Sequence, residues 1–161
     1  MIEVGMFQKK KACGKILTTG GMNPCIGIAI YNPKKKCGYL IHDPHIIQNN
    51  KLEKMLVDII KDLGDKDLLK IRVAGNSIMS GEEKNNIDEM LSNRPYVLET
   101  LSKFFNENQY EINWAENNTG TTLTLNTKTG EFLIEPYDPY NIGKKESNNS
   151  DDYDSNGNLI E

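Results

Sequence analysis

The spacing of apolar positions changes along this chain, and each change marks an element. Ile26-Gly27-Ile28-Ala29-Ile30-Tyr31 is an uninterrupted apolar run, and Cys37-Gly38-Tyr39-Leu40-Ile41 is a second. Between them lies Asn32-Pro33-Lys34-Lys35-Lys36, an Asn-Pro turn. Residues 15–31 and 37–42 therefore read as strands. From residue 50 the period becomes helical: Leu52, Met55, Leu56, Ile59, Ile60 and Leu63 share one face. Asn50 with Glu53 resembles a capping box, and Gly64 is a stop, so a helix is expected over 50–63. Residues 68–74 read as a strand ending at Gly75-Asn76-Ser77.

Ser80 with Glu83 predicts a short helix through Met90 or Leu91. Pro95 suits the first turn of another, with Val97, Leu98, Leu101, Phe104 and Phe105 as its apolar face. Residues 110–115 and 121–125 alternate as strands. Asn126–Gly130 is a hairpin turn, and 131–135 closes the sheet. The order of elements is that of an α+β domain rather than a regular βαβ winding.

At 161 residues, one domain is the default. Charge divides it. Residues 137–161 hold six acids and two bases, whereas 1–136 hold 17 of each. The expected organisation is a domain over 1–136 and an acidic, disordered tail over 137–161. Within that tail, Asp152 to Asn158 matches the first half of a calcium loop but lacks the acid at its end, and reads as tail. The balanced body argues against a nucleic-acid partner. Lys9-Lys10-Lys11 and Lys34-Lys35-Lys36 read as solvated turns or edges. No apolar run is long enough to span a membrane, and Met1 to Lys15 holds no stretch of signal-peptide type. Cys13, Cys25 and Cys37 are odd in number and form no CxxC pair. Free thiols in a reducing, cytoplasmic compartment are expected, with neither disulfide framework nor metal site.

One constellation carries chemistry. Cys25 ends the turn-rich loop Thr18-Thr19-Gly20-Gly21-Met22-Asn23-Pro24, and His42 follows seventeen positions later. If the two strands pair as a hairpin, the head of the first lies beside the tail of the second. Thiol and imidazole become neighbours, an arrangement for an activated, low-pKa nucleophile in covalent acyl chemistry. Cys37, at odd spacing from His42, faces the other way. His45 is a rival base in a loop. Asp43 points away from a neighbouring His42. Cys13 has no evident partner.

The pattern Thr19-Gly20, Cys25, Pro33, Gly38 and His42, with the order of elements over about 15–135, resembles the CheD family of receptor glutamine deamidases. That superfamily also holds the deamidase domain of cytotoxic necrotizing factor. The resemblance implies a layered β-sandwich with flanking helices. It also implies a Cys25–His42–Thr19 catalytic group, with Thr19 orienting the imidazole and no metal or organic cofactor. Gly20, Gly21, Asn23 and Asn76 are the expected oxyanion or substrate loop residues. Pro24 has no N–H, so oxyanion donors must be Cys25 itself and another loop residue.

The implied partner is a protein bearing a Gln side chain, either a chemoreceptor or, for an effector, a host protein. The chain departs from the family pattern at Pro24, at Gly75-Asn76, at Ser92-Asn93-Arg94-Pro95 and at Thr121-Thr122. Effector-type deamidation, transglutamination, N-terminal asparagine amidase activity and a catalytically silent binding module remain alternative readings.

Overall fold

The structure is a computed structural model that describes residues 1–141. The described residues form strands β1 (Ile2–Glu3), β2 (Gln8–Cys13), β3 (Ile16–Thr18), β4 (Ile26–Asn32) and β5 (Cys37–Asp43), then helix α1 (Lys51–Leu63). Strand β6 (Lys70–Gly75), helix α2 (Lys84–Phe104) and strands β7 (Tyr110–Trp114), β8 (Gly120–Asn126) and β9 (Glu131–Tyr137) complete them. One sheet has the order β1-β3-β8-β9, the other β2-β5-β4-β6-β7. This is the expected α+β layered sandwich with flanking helices.

Strand β4 is central because every one of its residues is buried. Its period of two sorts them between two cores. Ile26, Ile28 and Ile30 pack with Leu52, Leu56, Ile59, Val97 and Leu101, which closes the helical layer on one face. Ala29 and Tyr31 pack with Leu17, Leu40, Leu123 and Leu125, which closes the smaller sheet on the other. Cys25 belongs to this second, inter-sheet core. Small residues keep the layers close: a Cβ at Gly38 would lie 2.7 Å from the Leu125 side chain.

Helix α1 keeps the expected face, with Leu52, Leu56, Ile59 and Leu63 buried and Gly64 ending it at φ +66°. The short helix expected from Ser80 to Met90 or Leu91 and the one expected from Pro95 are one, Lys84–Phe104, with Pro95 inside. Proline deprives the carbonyl four residues earlier of its donor. That residue, Leu91, lies on an exposed part of the helix, where water can take the carbonyl, while Asn93, Val97, Thr100 and Leu101 bury the face beyond it. Leu98, expected in the core, is 45% exposed.

The Lys9–Lys11 run lies on β2, an edge of the larger sheet, where lysines also discourage edge-to-edge pairing. The expectation of three free thiols is corrected. Cys13 and Cys37 face each other across β2 and β5 and form a disulfide. The sequence hid this because the pairing partner of Cys37 is set by a strand that the polar Gln8–Cys13 segment does not announce. Strand β9 runs to Tyr137, one residue past the expected domain end. Residues 142–161, with the acidic tail and its calcium-like pattern, lie outside the described residues.

Candidate active site

The loop from Thr19 to Cys25 carries the chain from the smaller sheet to the larger one. Backbone bonds hold it from both sides. Met22 and Thr121 exchange two N–H···O bonds of 2.8 Å, tying it to β8. On the other side Asn76 N–H donates to Cys25 O at 2.9 Å and Ser77 N–H to Asn23 O at 2.8 Å. Gly20 turns the loop at φ +65°, a conformation that favours glycine. The result is a cysteine on a short, doubly anchored crossover at the edge of the inter-sheet core.

Strands β4 and β5 pair as the expected antiparallel hairpin, with Gly27 opposite His42 and Ile26 opposite Asp43. Cys25 precedes Gly27 by two, so Cys25, Gly27 and His42 share the inter-sheet face. Glycine leaves the position opposite His42 without a side chain, and Met22 and Leu123 take the space. A Cβ there would lie 2.8 Å from Met22 Cε and 3.2 Å from Leu123 Cδ2. The site therefore requires a glycine that the sequence reading passed over, although an isolated glycine in a strand signals close approach.

His42 is 5% exposed, and its Nδ1 lies 2.9 Å from the Val4 carbonyl oxygen. A carbonyl only accepts, so Nδ1 carries the hydrogen. In the neutral ring that leaves Nε2 as the proton acceptor. Phe7 N–H also donates to the His42 carbonyl at 2.7 Å. The N-terminal arm thus holds the imidazole at Nδ1, whereas the expectation gives that role to Thr19 through its hydroxyl or its backbone carbonyl. The Thr19 hydroxyl is used elsewhere: it accepts from Leu123 N–H at 3.0 Å and donates to Gly20 O at 3.0 Å. Thr19 locks the loop to β8, and Val4 orients the ring. No sequence motif marks Val4, because it acts through its backbone.

Cys25 is a free thiol, 6% exposed. Burial, and secondarily the Asp43 carboxylate, push its pKa up from 9.0 to about 11. This corrects the expected accessible, low-pKa thiol: the resting sulfur keeps its proton at neutral pH. Asp43 itself ion-pairs with Lys51 and accepts from His45 N–H at 2.8 Å, so it takes no part in a triad. His45 stacks on Phe7 and lies 3.9 Å from Glu89, in a separate hollow lined by Pro24, Pro44 and Met90.

Of the expected loop residues, Gly20, Gly21 and Asn23 lie on the Cys25 loop. Asn76 reaches Cys25 only through its backbone. Its carboxamide donates to Met90 O at 2.9 Å and accepts from Arg94 Nε at 2.5 Å. Buried and doubly bonded to α2, it braces the Cys25 loop from the helical side. Among the described residues no cluster of three or more His, Cys, Asp or Glu is placed to hold a metal, and no helix is long and apolar enough to cross a membrane.

Comparison with known proteins fits this geometry. The chain is 30% identical over 135 residues to a probable chemoreceptor glutamine deamidase CheD 1 of Methanosarcina acetivorans, covering 76% of this chain and 82% of that protein. The chain belongs to the CheD family. Similar CheD proteins of Methanosarcina barkeri and Methanococcus maripaludis, likewise named probable chemoreceptor glutamine deamidases, are 25% and 26% identical. They cover 73% and 70% of this chain and 84% and 80% of their own. No family model matches the sequence. Among solved structures, a hypothetical protein YfiH of Bacillus licheniformis has a TM-score of 0.44 at 10% identity. That match covers 66% of this chain and about half, 49%, of the other.

Proposed function

We propose that this CheD-family chain is a protein glutamine deamidase in which Cys25 is the nucleophile and His42 the general base and acid. The observation that carries the reading is the placement of Cys25 and His42 on one face of the β4–β5 hairpin, where His42 pairs with Gly27, two residues after Cys25. The names of the three CheD relatives supply the substrate class, a glutamine side chain of a chemoreceptor.

The thiol that keeps its proton dictates the order of events. Sγ attacks the carboxamide carbon as His42 Nε2 takes the thiol proton, so charge separates only when substrate is present. The carbonyl oxygen becomes an oxyanion. Cys25 N–H is the nearest backbone donor, because Pro24 offers none. The imidazolium, held by Val4 O at Nδ1, returns its proton to the departing nitrogen, and ammonia leaves. A thioester between Cys25 and the former glutamine remains. His42 then deprotonates water, which attacks the thioester carbon. Sγ leaves, recovers its proton, and glutamate is the product. Thr19 contributes by fixing the loop on which Cys25 rides.

The test is direct. The protein is incubated with the cytoplasmic region of a methanogen chemoreceptor, and peptide mapping scores Gln-to-Glu conversion. Conversion at defined glutamines supports the reading. No conversion, where the Methanosarcina acetivorans relative converts the same preparation, overturns it.

A further inference from the structure

Tyr137 ends β9, directly opposite Gly120 in the β8–β9 ladder. Its ring occupies the space a Gly120 side chain would need: a Cβ there would lie 2.2 Å from Cζ and 2.5 Å from both Cε atoms. The hydroxyl then reaches the Cys25 loop. A Cβ at Gly21 would lie 2.4 Å from Oη, and Oη donates to Asn23 Oδ1 at 3.4 Å. Neither glycine has a positive φ, so neither is needed for its backbone conformation. Both are small because one phenol fills the space beside them. Burial first, and then the nearby Cys25, raise the Tyr137 pKa, so phenol and thiol share one electrostatic environment.

We propose that Tyr137 is the specificity gate of the Cys25 site: its ring walls the loop ahead of the thiol, so that a slim, unbranched carboxamide chain passes and a branched or aromatic one does not. The proposal deepens the deamidase reading by restricting its substrate to glutamine-like side chains. The wall itself can be tested without turnover. Cys25 is 6% exposed, so a reagent reaching Sγ must pass what covers it. The Asn23 bond holds the hydroxyl end of the ring, while Gly120 seats its body.

The experiment measures alkylation of Cys25 at pH 9 by iodoacetamide, itself a small carboxamide, and by N-phenyl iodoacetamide. Peptide mapping assigns the label, and glutathione gives the intrinsic ratio of the two reagents. Wild type is expected to disfavour the phenyl reagent by about tenfold or more relative to glutathione, as a pocket wall does. Tyr137→Ala should bring the ratio back to that of glutathione. Tyr137→Phe, which keeps the ring, should stay selective.

A Tyr137→Ala ratio equal to wild type overturns the gate. So does equal acceleration of both reagents, which would mark a clamp whose loss only loosens the loop. Tyr137→Phe behaving like Tyr137→Ala also overturns it. If Tyr137→Ala does not fold, Tyr137→Leu replaces it, with the same restored ratio expected and an unchanged ratio refuting. Because only thiol labelling is read, a failed gate and a failed deamidase reading give different results.

Discussion

Gly75→Ala tests whether the chain is drawn tight behind Cys25. Gly75 closes β6 at φ +99°, opposite Ile26 in the ladder. An alanine Cβ would lie 2.4 Å from the Cys25 carbonyl oxygen and 3.6 Å from Ile26 Cα. Two costs follow. Holding an L-residue at that φ costs on the order of 1–3 kcal/mol. Displacing packed atoms adds about 1–3 kcal/mol, and here the obstacle is backbone, which cannot rotate away. The sum, roughly 2–6 kcal/mol, is a large part of the roughly 5–15 kcal/mol that folds a domain.

For a chain of this size, that is a fall in Tm of about 5–20 °C. Gly81→Ala is the matched control. Its φ is +90°, yet nothing lies within 4 Å of its Cβ, so it carries the conformational cost alone. Calorimetric melts of the wild type and both variants separate the terms. Gly75→Ala should melt clearly below Gly81→Ala. Equal Tm values would refute the close approach of Gly75 to Cys25.

Other consequences follow from the same geometry. The Cys13–Cys37 bond closes a separation of 24 residues. Replacing both by Ser should lower stability by about 3 kcal/mol in denaturant melts, and an unchanged midpoint would contradict that. Deleting residues 1–6 removes the Val4 carbonyl and should lower kcat about tenfold to a hundredfold, with KM little changed. A wild-type kcat would return the orienting role to another group. Alkylation of Cys25 should climb with pH towards about 11, since burial and then Asp43 raise the thiol. The native thiol binds its proton more tightly than the unfolded one. Stability should therefore fall as pH rises from about 9 to about 11, and Cys25→Ala should flatten that limb in melts.

What the sequence made legible was whatever local period controls. Strands β4 and β5, helix α1 and the closing hairpin follow from apolar spacing and turn residues. The Cys25–His42 juxtaposition follows from the hairpin they bracket. The misses have a common cause. Strand β2 is polar because it is an edge, so its pairing with β5, and with it the disulfide, left no apolar signal. Pro95 reads as a helix start, yet burial of Asn93, Val97 and Leu101 on one face carries α2 straight through it. Val4 works through a carbonyl that any residue would supply. Gly27 and Gly120 matter for the side chains they make room for, Met22 and Leu123 at the first and Tyr137 at the second, and only the folded layers reveal those partners. The thiol's high pKa depends on burial between two sheets, which residue spacing does not encode.

The measurement that bears most directly on Cys25 as nucleophile is Gln-to-Glu conversion on a chemoreceptor fragment by Cys25→Ala beside wild type, each first shown by melting to be folded. The predicted result is conversion by wild type and none above the enzyme-free background by Cys25→Ala. Conversion by Cys25→Ala at a rate near wild type would contradict covalent catalysis at this thiol.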